Sequence, residues 1–192
     1  DGGSSELRSA ANVGSPGGAD CAGGGGGANT TDGAQSTGGG GYVNTGSGTD
    51  ATVGGGKRNT ASDYYCTIGG GRRNTASDNY STVGGGLDNT ATGVVSTVAG
   101  GYSNTASGYG STVAGGYSNT AAGDYSFAAG FAASDGGNNN VFIWGDSGGG
   151  TATVANTFNV NASSGMYLNG AVHAISDRNL KEGLAAVRAR EG

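Results

Sequence analysis

The sequence predicts an all-β chain, a parallel β-solenoid or β-roll assembled from 15-residue repeats, and three observations predict it. The dipeptide Asn-Thr begins at Asn29, Asn44, Asn59, Asn74, Asn89, Asn104 and Asn119, always at an interval of 15 residues. Apolar residues recur at two phases of that interval, Val53, Ile68, Val83, Val98 and Val113 at one and Ala61, Ala76, Ala91, Ala106 and Ala121 at the other. A unit this short cannot bury a face alone, so successive units must stack.

Composition narrows the alternatives. Of 192 residues 45 are Gly, one is Pro and 12% are charged. Gly has no side chain to bury and loses the most backbone entropy on folding, which excludes an ordinary globular core. Collagen is excluded as well, because there is no Gly triplet period and almost no Pro. Disorder is countered by the fixed spacing of seven copies. The formal charge of −5 makes nucleic acid an improbable partner, and no apolar run is long enough for membrane insertion. Asp1 opens directly into Gly and Ser, so an export signal is expected to have been removed, or release to occur by lysis.

The unit reads Gly-Gly-Gly-x-x-Asn-Thr-Ala-Ser-x-x-x-Ser-Thr-Val. Its clearest copies occupy 54–68, 69–83, 84–98, 99–113 and 114–128, with weaker ones at 39–53 and 24–38. The Gly triplets are corners that need positive φ, and Asn beside Thr suits a second turn. Ser-Thr-Val and Thr-Ala-Ser read as two very short strands per coil, and helix is disfavoured by β-branched residues, Gly and the absence of a 3.6 period. Coils rise by about 4.8 Å each. Val and Ala alone make a thin interior, so three chains sharing an axis, an intertwined homotrimer, would pool the columns.

Four segments follow from this reading: a Gly-rich start or degenerate coil over 1–23, the repeats over 24–128, a small neck-like β module over 129–175, and a distinct end over 176–192. In the β module, 141–145, 151–155, 157–160 and 166–175 read as strands. Phe142, Trp144, Phe158 and Tyr167 are expected as its core, and 177–190 as a short helix.

The repeats, as in Ala-Ser-Gly-Tyr-Gly-Ser-Thr-Val-Ala-Gly-Gly at 106–116, resemble the head repeats of trimeric autotransporter adhesins, which form a left-handed parallel β-roll. A second resemblance rests on four segments in order: Tyr-Ser-Phe-Ala-Ala-Gly-Phe-Ala-Ala at 125–133, Val-Phe-Ile-Trp-Gly-Asp at 141–146, Asn-Thr-Phe-Asn-Val at 156–160 and Ser-Asp-Arg-Asn-Leu-Lys-Glu at 176–182. The succession is similar to phage and bacterial tail-fibre proteins that end in an endosialidase-type intramolecular chaperone, a domain that assembles the trimer and then cuts itself off. The resemblance implies Ser176 as nucleophile, Lys181 as base, and release near Ser176–Asp177. A Ser nucleophile needs such a base, and a desolvated Lys can serve. The plain alternative is a solvated helix start capped by Ser176 or Asp177. Because 16 residues follow Ser176 in a chain of 192, cleavage is expected only in a longer parent.

The candidate binding residues lie in the repeats. Lys57, Arg58, Arg72 and Arg73 share two phases in adjacent coils, beside Asp63 and Asp78. They form either a docking patch for acidic glycans or solvated corners that keep the rod soluble. Tyr64, Tyr65 and Tyr80, with Tyr102, Tyr109, Tyr117 and Tyr125, either stack on sugar rings or cover Gly-rich coils from water. Cys21 and Cys66 are three repeats apart, about 14 Å in a stack, too far for a disulfide. His173 has no metal-ligand companions, and Gly23–Gly27 lacks the Lys-Ser/Thr of a phosphate loop, so neither metal nor cofactor is expected.

The sequence therefore predicts a structural and adhesive extracellular fibre, the shaft of a phage tail fibre or bacterial surface adhesin, rather than an enzyme. Its partners would be itself, as a homotrimer, and a cell-surface glycan or another host receptor. Two other functions compete: an ice-binding solenoid, from the Thr67, Thr82, Thr97 and Thr112 column, and a self-processing precursor cut at Ser176.

Overall fold

The computed structural model describes residues 22–163. They form a parallel β-solenoid of about nine turns, without helix. Each coil contributes two very short strands, as the Thr-Val and Thr-Ala dipeptides predict. Thr82–Val83 and its equivalents form one ladder of ten strands, here called the valine sheet. Thr75–Ala76 and its equivalents form another of nine, the alanine sheet. Pairing is parallel and in register, Val83 against Val98 and Ala76 against Ala91. A third line of single bridges runs Tyr42, Lys57, Arg72, Leu87, Tyr102, Tyr117. At about 4.8 Å per coil, the nine spacings of the valine sheet give a rod of roughly 43 Å.

In a strand of two residues one side chain points in and the other out. Val and Ala point in, and both columns are fully buried. Burial is completed within a single chain, so these columns do not need three chains to close them. The interior is thicker than Val and Ala alone because two polar columns share it. One is Ser36, Ser81, Ser96, Ser111 and Ser126, with Ala51 and Cys66 in the same phase; the other is Asn29 through Asn119. The Cys66 thiol lies against the Asp78 carbonyl at 3.2 Å and Ser81 Oγ at 3.3 Å.

The asparagine column corrects the sequence expectation for Asn-Thr. The turn is present, but its left-handed residue is the one before Asn: Arg58 at φ 58°, Arg73 at 56° and Asp88 at 58°. Asn itself points inward. Asn89 Oδ1 accepts the backbone N–H of Asn104 at 3.0 Å, and Asn89 Nδ2 donates to the carbonyls of Gly85 and Gly101, both at 2.9 Å. The same bonds recur at Asn59, Asn74 and Asn104. Buried polar groups must be paired, and here the pairing fastens each Gly corner to its own coil and to the next.

Beyond residue 128 the same two sheets continue. Phe127–Phe131, Phe142–Gly145 and Phe158–Asn161 extend the valine sheet. Ala133–Ser134 and Gly150–Thr151 extend the alanine sheet. Coil length changes, with Phe142 opposite Phe158 and Ala133 opposite Gly150. Of the aromatic residues expected as core here, Trp144 and Phe158 are outside instead, at 49% and 68% exposure, Phe142 is half-buried, and Tyr167 lies outside the described residues. Val141, Ile143, Ala133 and Ala152 are the buried ones, because Ile143 takes the inward place that Val113 and Ala128 hold in preceding coils. The strand expected over 166–175, the helix over 177–190, Cys21 and His173 lie outside the described residues.

Replacing Asn89 tests the ladder. Asn89→Ala leaves the Asn104 N–H and two Gly carbonyls without their partner, an expected loss of about 3 kcal/mol. Asn89→Asp keeps the shape but aims a carboxylate at those carbonyls, so it should cost at least as much. Chemical denaturation followed by circular dichroism reads both, and wild-type midpoints would show the ladder to be dispensable.

Candidate surface site

The groove lined by Ala114, Gly115, Gly116, Ala129, Gly130 and Trp144 brings no titratable groups together, so the surface columns are the candidates. Stacking in register places like phases above one another, and outward side chains form vertical ranks along the rod. Aromatic residues at one phase in adjacent coils consequently meet. Tyr65 and Tyr80 stack with centroids 4.9 Å apart, Tyr117 and Phe131 at 5.1 Å, and Phe127, Phe142 and Phe158 at 4.8 and 4.7 Å. Tyr102 meets Tyr117 at a tilt, at 5.2 Å.

The four predicted cations are brought together. Lys57 and Arg72 are consecutive members of the bridge line. Arg58 and Arg73 are consecutive members of the left-handed column beside it, and all four are exposed. Lys57 Nζ lies 5.3 Å from the centroid of the Tyr42 ring. Arg73 makes a two-pronged ion pair with Asp88, one coil on in its own phase, not with Asp63 or Asp78. That hydrogen-bonded carboxylate holds the Arg73 guanidinium above its ordinary pKa. Being exposed, the pair adds little stability.

The predicted tyrosines are elsewhere. Tyr64, Tyr65 and Tyr80 occupy the corner that joins the end of an alanine-sheet strand to the start of a valine-sheet strand. A strand separates them from the cations in either direction round the coil. All three are exposed, at 47–55%. Asp50, one coil before, and the stacked Tyr80 ring hold the Tyr65 phenol above its ordinary pKa. Ser176 and Lys181 lie outside the described residues. Among the described residues, no cluster of His, Cys, Asp or Glu could hold a metal ion, and no helix is long and apolar enough to cross a membrane.

Sequence reasoning missed the outward place of Trp144. Trp144, read as core, overhangs a shallow groove floored by Ala114, Gly115, Gly116, Ala129 and Gly130. The signal was present: extending the inward phase from Val83 by fifteens reaches Ile143, which leaves Trp144 outside. The Gly triplets also divide into two kinds. A Cβ on Gly71 would sit 2.2 Å from the Gly86 carbonyl oxygen at φ +86°, and Gly84 is similarly blocked at 2.3 Å. At Gly70 and Gly85 a Cβ would meet nothing within 4 Å, and neither has positive φ.

No protein-family model matches this sequence, and no curated protein matches it significantly. The class of protein is therefore defined by the fold, a parallel β-solenoid of 15-residue repeats.

The two kinds of Gly predict opposite outcomes. Gly70→Ala should leave the thermal midpoint within a degree or two, whereas Gly71→Ala should lower it clearly, because backbone of the next coil must move. Equal midpoints for the two variants would contradict the stacking geometry.

Proposed function

We propose that this chain is the shaft of an extracellular adhesive fibre, of a phage tail or a bacterial surface, that attaches to a host or other surface. The observation that carries the proposal is the division of labour around each coil. Inward phases repeat nearly unchanged, as a rod of fixed pitch requires. The outward phases of the bridge line vary from Lys and Arg to Leu and Tyr, and they expose aromatic and cationic side chains in vertical ranks. A rod whose surface carries such ranks suits reach and multivalent contact rather than turnover of a small molecule. The fibre is proposed to be a homotrimer. What supports lateral association is the Phe127, Phe142 and Phe158 rank, whose last member is 68% exposed. Light scattering should give the mass of three 18.2 kDa chains, and a monomer at micromolar concentration would remove the trimer. Labelled protein should adhere to bacterial cells, and its failure across a broad panel of cell surfaces would remove the adhesive role.

A specific observation favours one second reading. The alanine sheet presents two parallel hydroxyl ranks, Thr60, Thr75, Thr90 and Thr105 beside Ser62, Ser77, Thr92 and Ser107. The Thr67 rank of the valine sheet, from which ice binding was expected, adjoins Gly instead. A regular, hydroxyl-bearing face suits ordered water. Thermal hysteresis at millimolar protein decides it: activity lost in Thr90→Tyr supports ice binding, and none in the wild type removes it.

A further inference from the structure

We infer that an extended acidic glycan lies along the rod on the bare backbone strip of the Gly corners, between the bridge line and the Thr rank of the valine sheet. This rests on the adhesive reading and names the ligand class and its place.

The strip's floor is lower than the fold demands. Gly71, Gly86 and Gly101 are obligatory, since a Cβ there would lie within 2.3 Å of a backbone oxygen of the next coil. Gly55, Gly100 and Gly115, the middle members of their corners, are held to Gly by positive φ, but Gly70 and Gly85 in the same phase are not and a Cβ there would meet nothing within 4 Å, so in those two coils the corner stays bare where side chains would fit. One flank supplies hydroxyls, Thr67, Thr82, Thr97 and Thr112, all half-buried and outward. The other flank is the bridge line, which is cationic at Lys57 and Arg72 and aromatic at Tyr102, Tyr117 and Phe131.

The flanks decide the chemistry of the occupant. Across the bridge line and the adjoining left-handed column, from Tyr42 to Ser118, the charged residues are Lys57, Arg58, Arg72, Arg73 and Asp88. Asp88 is taken by Arg73, which leaves a local excess of positive charge on a chain whose formal charge is −5. Anionic groups are drawn to that stretch. The aromatic stretch offers apolar surface to sugar rings: Tyr102, Tyr117 and Trp144 are 39%, 45% and 49% exposed, Tyr117 with one face already stacked on Phe131, and each Tyr adds a polar tip. A pyranose ring is comparable in length with the rise of one coil, about 4.8 Å, so successive rings of a linear chain meet successive members of a rank. Trp144, rising where preceding coils have Gly or Ala, closes the strip at one end. A flat protein surface or a duplex would not follow a strip one corner wide, and a neutral glycan would leave the cations unused.

The test is binding of the full chain to heparin and polygalacturonate, sulfated and carboxylated probes, against neutral dextran, by calorimetry at low and physiological salt. The expected result is binding of one or both acidic probes, weakened at least tenfold by Lys57→Gln with Arg72→Gln, and weaker at higher salt. Gly70→Val with Gly85→Val should abolish it while the circular dichroism spectrum and melting midpoint stay unchanged, since a Cβ at either position meets nothing within 4 Å; Trp144→Ala should weaken it severalfold. Acidic probes bound equally by wild type and the valine variant would overturn the strip as the site. Equal binding of dextran would overturn the acidic assignment. No binding of any probe at millimolar concentration would overturn the inference, and if the same protein still adheres to cells, the adhesive reading survives without it.

Discussion

Coils of this chain lie one backbone hydrogen bond apart, and that closeness constrains nearly everything else. The Thr82 N–H reaches the Ser96 carbonyl at 2.9 Å, and the Thr97 N–H the Ser111 carbonyl at 2.9 Å. Backbone at this spacing leaves no room for a Cβ that points along the rod axis. Hence Gly56, Gly71, Gly86, Gly101 and Gly116 are Gly, each also at positive φ. The fold is bought with residues that contribute nothing to a core, and the compensation comes from hydrogen bonds repeated coil after coil.

The asparagine column supplies much of that compensation. A Gly-rich corner has many backbone conformations to lose and no side chain to hold it. Asn provides two donors and an acceptor in a compact group. It is the one side chain here that can bind a carbonyl of its own corner, a carbonyl of the next, and the next coil's N–H together. Asp would lack the donors, and Ser lacks the reach. Ser instead fills the narrower inward place near the other corner, where Ser126 donates to the Asn138 carbonyl. A core of Val, Ala, Ser and Asn is thin in apolar area, and its satisfied bonds are concentrated in the Asn column, since Ser36 and Ser111 Oγ are buried without a partner.

The same register organises the surface. Each outward choice is repeated or varied rung by rung, so Tyr65 on Tyr80, Phe127 on Phe142 and Arg73 on Asp88 are consequences of pitch rather than of local design. A rank can change chemistry along its length without disturbing the interior, as the bridge line does in passing from Lys57 to Leu87 to Tyr117. This separates a scaffold of fixed pitch from an adaptable exterior, and it supports the proposal that the rod adheres through its ranks rather than through pockets.

The sequence by itself determined the period, the two short strands of each coil and the identity of the Val and Ala columns, because each is a local pattern multiplied seven times. It also brought Lys57, Arg58, Arg72 and Arg73 together, since equal phase in a solenoid means adjacency. Only the tertiary structure decided that Asn points inward, for Asn-Thr after a left-handed residue is a turn signal whether its amide meets water or a neighbouring coil. Although the period alone already put Trp144 outside, the outward placement of Phe158 was likewise decided by the tertiary structure, where the coil lengthens by one residue and Asn159, not Phe158, pairs with Ile143. So was the difference between Gly70 and Gly71: adjacent in sequence and chemically identical, they are separated only by the direction in which a Cβ would point and by whether another coil's oxygen already occupies that space.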